Sequence, residues 1–370
     1  MNVARIILGL PHDPDVYPGA APGLDPNLEH PPLAKLIIAL SMRLIGDNAY
    51  GYRLPSVAFG VASIFLFYLI LKRLSRNSAI AFLGAFALSF DNLFFVHGRI
   101  ATLDISMLAF MLMGFYLYLI GRPHMSAVAM ALSSLCKLGG IYGALVVMAF
   151  HLSSAYLSAR REGRGADPIP LLKWIERYAL VFALSFLIGL GLLDWFWTKY
   201  KNPIEHLSFI LTYTRALTRP VPTGIESYPW QWLLNEVKIP YLTVNVNILE
   251  NGVVKETKPA VAFVGAMNPF IIYLCIPSMA YMIYKAIPSG DGYPLFMVLW
   301  FSLTYLPFLP FSLIWHRIMY IFYFLLALPS VCGAISYAIL DQRPPKIAVF
   351  IYMAAIIAGF YLLFPFKSIP

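Results

Sequence analysis

Apolar residues in this chain come in long, nearly unbroken runs, not in the alternating or three-to-four-residue spacing of a half-buried strand or helix. The runs fall at roughly 52–72, 78–96, 102–121, 124–137, 139–158, 177–198, 262–285, 291–312, 317–340 and 346–366. Most are about 18–24 residues long, enough for a helix to cross the ~30 Å hydrocarbon core of a bilayer. A helix satisfies every backbone group within itself, so it is the form such runs take in lipid. The pattern predicts about ten transmembrane helices, with the short run 124–137 passing almost directly into the next.

The connections between runs alternate in character. Lys72, Arg73 and Arg76 follow the first run, Arg122 the third, Arg160, Arg161 and Arg164 the fifth, Lys285 the seventh, and Arg343 and Lys346 the ninth. Every second connection is basic, and the positive-inside rule places those in the cytoplasm. The opposite side receives residues 1–51, the turn around His97 and Arg99, the long segment 199–261 and the turn from Trp315 to Arg317. The organisation read from this is a first external loop (1–51), an N-terminal bundle (52–198), a long external loop (199–261) and a C-terminal bundle (262–370).

Composition agrees. Hydrophobic residues make up 60% and charged residues 12% of the chain, and mean hydropathy is +0.72, whereas a soluble domain carries roughly 25% charged residues. The net charge of +9 is spread over the connections, which argues for orientation and contact with anionic lipid headgroups and against nucleic acid as a partner. Cys136, Cys275 and Cys332 lie inside apolar runs without metal-type spacing and read as small buried residues. The opening stretch MNVARIILGL is too short and wrongly flanked for a signal peptide.

Ionisable groups gather at the outer ends of the runs. They are Glu29, His30 and Lys35 in NLEHPPLAK, Arg99 and Asp104 in HGRIATLD, Lys137 in LCKLGG, and His316 with Arg317 in WHRIMY. Charge at membrane depth is costly and points to function. Here cations outnumber carboxylates, which suits a phosphate or diphosphate held at headgroup level. Plainer readings stand beside this one. Lys35 can snorkel from an interfacial helix, Arg99 and Asp104 can pair with each other, and His30 before two prolines can be a rigid turn. Lys137, beside Gly139 and Gly140, marks a helix break that would open a cavity. Trp195, Trp197, Trp230, Trp232 and Trp315 read as an aromatic belt before they read as a sugar platform. Glu29 and His30 are two potential ligands for a divalent cation, too few for a metal site.

Taken in order, these stretches resemble the protein O-mannosyltransferases of the glycosyltransferase C superfamily, in their prokaryotic branch. His30-Pro31-Pro32-Leu33-Ala34-Lys35 is similar to that family's His-Pro-Pro-Leu-Gly-Lys motif, which opens a helix at the membrane surface, with Ala34 for the usual Gly. Arg99 and Asp104 resemble its Arg-x-x-x-x-Asp segment, and Lys137-Leu138-Gly139-Gly140 its Lys-Trp-x-Gly segment, with Leu138 for Trp. SYPWQWLL (Ser227 to Leu234) is similar to its Pro-Trp-x-Trp stretch, and Asn268-Pro269 with the run through Trp315 and Arg317 resembles its closing spans. The segment 199–261 is too short for the extra domain that eukaryotic members carry there.

The resemblance implies an all-α polytopic membrane fold: a glycosyltransferase C-type bundle of about ten helices with external juxtamembrane helices. It implies inverting transfer of mannose or a similar hexose from a polyprenyl- or dolichyl-phosphate sugar to Ser/Thr hydroxyls of secreted or membrane proteins at the external face. Arg99, Lys137 and Arg317 would hold the donor phosphate, with His30 and Lys35 at the pocket rim. Glu29 and Asp104 would orient these cations or the acceptor, and Trp230 and Trp232 would serve the acceptor or sugar loop. The family's catalytic Asp-Glu pair falls before Ala4-Arg5, so the general base, and a first span, are expected upstream of Met1. Asp13, Asp15 and Asp25 do not occupy the motif's position. Alternatives from the residues are a lipid- or glycan-directed transferase using the same donor, an inactive or truncated homologue, and, least, a transporter. No cofactor is implied. A divalent cation and a dimer are left open.

Overall fold

The computed structural model describes residues 1–163, 165, 167–219, 224–250, 252–289 and 292–364; Arg164 and the last two positions of the run 346–366 lie outside the described residues. Helices begin where a side chain or a proline deals with the amides that no turn can satisfy. α1 (Asn2–Leu8) and α2 (Leu33–Ile45) share a small apolar cluster built on Ala4, Ile7, Ile38 and Met42. Asn48 caps α3 (Ala49–Ser75), accepting from the amides of Tyr50 and Gly51 at 2.9 and 3.0 Å. A Cβ at Gly51 would sit 2.0 Å from the Gly46 carbonyl oxygen, so glycine is what lets the α2–α3 turn close.

Asn77 caps α4 (Ser78–Ser89) and Asp91 caps α5 (Asn92–His97), so the second apolar run is two helices with a break between them. α6 (Asp104–Leu119) and α7 (Pro123–Cys136) follow. Lys137 is extended, with φ −160° and ψ 135°, and a 3-10 turn (Leu138–Gly140) leads into α8 (Ile141–Arg161). α9 (Pro168–Trp197) starts on an Asp167 cap with Pro168 in its first turn.

The segment read as the long external loop is built. It contains α10 (Pro203–Ala216), capped by Asn202, then α11 (Pro229–Leu233) and an antiparallel hairpin of β1 (Ile239–Glu250) and β2 (Val253–Gly265). The hairpin is an addition to the helical architecture that no apolar run announced. The C-terminal half is α12 (Pro269–Ile272), α13 (Cys275–Ser289), α14 (Gly292–Tyr305), α15 (Phe308–Leu313), a 3-10 stretch (Ile321–Leu326), α16 (Leu328–Asp341) and α17 (Lys346–Leu363).

An aromatic nest joins the two halves. Phe115 of α6 meets Trp300 and Phe296 of α14 at 4.8 and 5.2 Å between ring centroids, and Phe67 of α3 stands edge-on to Trp300. Trp300 satisfies its ring N–H on the Leu326 carbonyl at 2.7 Å, as a buried indole must. The three cysteines are buried and unpaired.

The chain is a multi-pass helical membrane protein. By length and composition six helices among the described residues can cross a bilayer: Ala49–Ser75, Leu138–Arg161, Pro168–Trp197, Pro269–Ala286, Gly292–Leu313 and Lys346–Leu363. Ser78–Ser89, Asp104–Leu119 and Leu328–Asp341 are apolar but shorter. The short ones stop at polar breaks, at Asp91 before α5, at Asp104 where α6 begins, and in the extended stretch before Ile321. Irregular backbone at this depth is tolerated where protein or a cavity surrounds it.

The basic connections gather at the other ends of these helices. Arg73 donates to the Leu119 carbonyl at 3.3 Å, joining the C-termini of α3 and α6, and Lys285 pairs with Asp341 at 2.7 Å, joining those of α13 and α16.

Asn268 braces the breaks. Its side-chain amide donates to the carbonyls of Phe90 and Ile356 at 2.9 and 2.8 Å, its own N–H donates to Asp91 at 2.9 Å, and its Oδ1 caps α12. Asn268→Ala strands two buried carbonyls and removes a cap, so we expect a loss of about 2–4 kcal/mol. The check is the unfolding midpoint of the variant in detergent beside that of the wild type.

Candidate active site

One end of the bundle holds a cavity of about 990 Å³. The helix breaks supply its polar wall: Glu29 and His30 from the loop before α2, Asp104 from the start of α6, Lys137 from the gap after α7, and Arg317. One face of α10 (Leu207, Ile210 and Leu211) and the rings of Phe308, Phe311 and Trp315 make an apolar wall. α10 presents its cavity residues at helical spacing, ending in Thr214 and Arg215.

Asp104 and Lys137 form an ion pair of 2.7 Å, with their side chains 7% and 12% exposed. Asp104 pairs with Lys137 and not with Arg99. His97 also lies beside Asp104, with its Nδ1 3.8 Å away, and its Nε2 shares a hydrogen bond of 2.6 Å with the Tyr241 hydroxyl at the base of the hairpin. The Lys137 ammonium also lies over the rings of Phe322 and Tyr323, 4.7 and 5.2 Å from their centroids.

Arg317 approaches the same Tyr323 ring at 5.7 Å. Its backbone is held in a strand-like pairing with the chain just after α10, through a bridge to Thr218 and bonds of 2.9 Å from Ile318 to Leu217 and from Arg219 to His316. Its Nε donates to the Thr214 carbonyl at 3.2 Å. Two cations from different halves of the chain thus flank one aromatic ring at one end of the cavity.

The other sequence candidates go elsewhere. Lys35 is 3% exposed and spent on structure. Its ammonium meets Asp25 at 2.5 Å and donates to the carbonyls of Asn27 and His30 at 2.5 and 2.8 Å, which fixes the loop carrying Glu29 and His30. Arg99 does not line the cavity. It is exposed, 4.9 Å over the Phe95 ring, and Phe95 packs on Phe360 of α17. Trp232 is a core residue, fully buried against Tyr305, Phe308 and Phe324, with its N–H on Ser227 at 2.8 Å. Trp230 stacks on Tyr228 at 4.4 Å and, like Trp232, does not line the cavity.

Sequence reasoning missed the pairing of Asp25 with Lys35, Arg215 and the pair Asp194–His206. Asp194 closes an apolar run, so the rule that makes a charge at membrane depth a functional candidate would have found it. Arg215 and Glu29 have no ion-pair partner among the described residues. No group of three or more His, Cys, Asp or Glu gathers as metal ligands among the described residues, and Glu29 beside His30 remains a set of two.

Residues 29–188 match the sequence profile described as dolichyl-phosphate-mannose-protein mannosyltransferase. The polyprenol-phosphate-mannose–protein mannosyltransferase of Mycolicibacterium smegmatis is 21% identical, over 91% of this chain and 77% of the relative. Over these spans the chain is similar to protein mannosyltransferases. Its fold is also shared with solved membrane proteins. The Saccharomyces cerevisiae protein O-mannosyltransferase Pmt1-Pmt2 complex bound to the sugar donor superposes with a TM-score of 0.65 at 10% identity, over 90% of this chain and 82% of that one. ArnT from Cupriavidus metallidurans bound to undecaprenyl phosphate gives 0.59 at 14%, over 98% and 70%. The matched span takes in Glu29, His30, Asp104 and Lys137, which build most of the polar wall here.

His30 is neutral. Burial lowers its pKa from 6.5 to about 3, helped by the charges of Lys137 and Lys35. The folded chain therefore binds fewer protons at His30 than the unfolded chain does between those two values. Stability from the neutral ring is complete above 6.5 and is lost as pH falls toward 3. At about pH 5 the loss is about 2 kcal/mol. Unfolding midpoints of the wild type and His30→Gln at about pH 7.5 and about pH 5 should show a steeper acid loss in the wild type.

Proposed function

We propose that this chain transfers a hexose, mannose, from a polyprenyl- or dolichyl-phosphate donor to Ser or Thr hydroxyls of proteins at the external membrane face. The observation that carries this reading is the pairing of Lys137 and Arg317 about the Tyr323 ring, in a cavity that also has an apolar wall. A phosphate fits the cations, and an isoprenoid chain fits the apolar wall that begins at α10. The mycobacterial relative's name specifies polyprenol-phosphate-mannose and protein, which supports the same donor and acceptor. The cavity lies at the helix ends opposite the basic connections, and the positive-inside rule then turns it outward.

In the reaction the acceptor oxygen attacks the anomeric carbon from the side away from the phosphate. A bond forms between that oxygen and the carbon, the carbon–oxygen bond to the lipid phosphate breaks, and its electron pair leaves on the phosphate. The hydroxyl proton passes to a carboxylate acting as general base. Arg317 and Lys137 meet the charge that builds on the departing phosphate. Asp104 sets the position of the Lys137 ammonium, and His30, neutral and at the rim, offers a hydrogen bond to phosphate or sugar. Glu29, a cavity carboxylate with no ion-pair partner among the described residues, orients the acceptor hydroxyl. Arg215 stands as a further cation on the α10 wall. Arg99 is left out of this set because it lies off the cavity.

Membranes containing the chain, given polyprenyl-phosphate mannose labelled in the sugar and a Ser/Thr-rich peptide, should place label in the peptide. Label in the organic extract instead would turn the reading toward a lipid- or glycan-directed enzyme, and no transfer at all would overturn it. Arg317→Ala should lower kcat/KM on the order of 10²-fold, through loss of charge stabilisation. Glu29→Gln should lower kcat with little change in donor KM. Steady-state rates over a range of donor concentration separate the two effects.

A further inference from the structure

Away from the phosphate cations, a second set of charges is sealed between the first loop and the α9–α10 corner. The side chains of Asp194 and His206 are wholly buried, with His206 Nδ1 2.7 Å from Asp194 Oδ1. His206 Nε2 lies 2.8 Å from the carbonyl oxygen of Leu28. Thr198 donates to Asp194 Oδ1 at 3.2 Å, and the backbone N–H of Asp25 donates to the Trp197 carbonyl at 2.7 Å. The first-loop segment is therefore stitched to the end of α9 and the start of α10 at two points.

The proton count follows from the partners. A carbonyl oxygen only accepts, so Nε2 carries a hydrogen. Nδ1 faces a carboxylate oxygen, so a second proton lies between ring and carboxylate. Such a charge-assisted bond, buried where water does not compete, is strong and directional. Breaking it leaves the Asp194 carboxylate or the Leu28 carbonyl without its partner in a dry site.

Its position gives the bond a consequence for the cavity. Leu28 directly precedes Glu29 and His30, which line the polar wall. His206 directly precedes Leu207, the first of the α10 residues that line the apolar wall. The ring therefore fixes the rotation of α10 and the height of the His30 loop relative to each other. We propose that His206 and Asp194 are positioning residues that hold the headgroup rim and the α10 wall as one unit, so that the donor meets a preformed site. This rests on the transferase reading given above. The couple touches no reacting atom and acts through the placement of Glu29, His30 and α10.

The test uses the full chain in membranes or detergent with His206→Ala, His206→Gln and Asp194→Asn. Two measurements are taken: initial rates against polyprenyl-phosphate mannose concentration, and hydrogen exchange of residues 25–31. His206→Ala should raise donor KM about tenfold while kcat changes by less than about threefold, and exchange in 25–31 should quicken by about tenfold or more. The Gln side-chain amide can still donate to the Leu28 carbonyl, so His206→Gln should recover most of both losses. Asp194→Asn, which keeps shape and removes charge, should fall between. Unchanged KM and unchanged exchange in His206→Ala would overturn the proposal, as would a Gln variant no better than the Ala variant. Should His206→Ala not fold, the comparison of His206→Gln with Asp194→Asn decides by the same two measurements. If the wild type transfers no mannose, the transferase reading fails, and the exchange of residues 25–31 still decides whether His206 holds the loop.

Discussion

The cavity depends on one ion pair set where helices stop. A carboxylate and an ammonium at this depth each carry a large desolvation penalty, and neither is tolerable without the other. Asp104 at the start of α6 and Lys137 in the gap after α7 repay that penalty together at 2.7 Å. To meet, α7 has to end at Cys136 and the chain has to leave helical geometry at Lys137. The break that exposes the charge also opens the space beside it. Helix shortening and site building are thus one event here.

Cations near this end divide by whether they have already been neutralised. Lys35 is surrounded by Asp25 and two carbonyls, so its charge is consumed in shaping the first loop. Lys137 is half consumed, holding Asp104 while still presenting its ammonium to the cavity over Phe322 and Tyr323. Arg317 spends one N–H on the Thr214 carbonyl, and the planar guanidinium has donors to spare. Charge count alone does not distinguish these cases. The partners do.

The sequence made the bundle legible because lipid leaves so few options. Long apolar runs must be helices, and basic connections must alternate, so spans could be placed within a few residues of α3, α6, α8 and α17, whereas α9 begins nine residues before its run. Glu29, His30, Asp104, Lys137 and Arg317 were legible as charges at helix ends, and the structure gathers all five on one cavity. What stayed hidden was set by pairing across the chain. Arg99 and Asp104 are close in sequence, yet Asp104 takes a partner 33 residues away, and nothing local to either residue encodes that choice. Trp232 read as part of an aromatic belt or of the acceptor loop because an aromatic in a polar loop has no hydropathic sign of burial. It became core when α11 packed on α15 and the 3-10 stretch. The hairpin went unread although Leu242, Val244, Val246 and Ile248 alternate with Thr243, Asn245 and Asn247, because a period of two leaves no mark in a pattern of unbroken apolar runs.

Electrostatics then limit what the cavity can hold. Glu29 and Asp104 bring two negative charges to its lining, Lys137, Arg215 and Arg317 bring three positive ones, and burial keeps His30 neutral. The excess is one positive charge. An anion of single charge closes that balance, whereas a doubly charged headgroup would leave one charge to be met in a site largely walled by hydrocarbon, at a cost that grows as water is excluded. A phosphodiester linking a sugar to a lipid carries one charge and also brings the apolar chain that the α10 wall and its facing rings can accommodate. Under the proposed transfer, the lipid phosphate left behind would be a monoester carrying more charge. In the proposed reaction, a lining balanced for the donor would then be out of balance with the product, which would favour departure along the apolar wall.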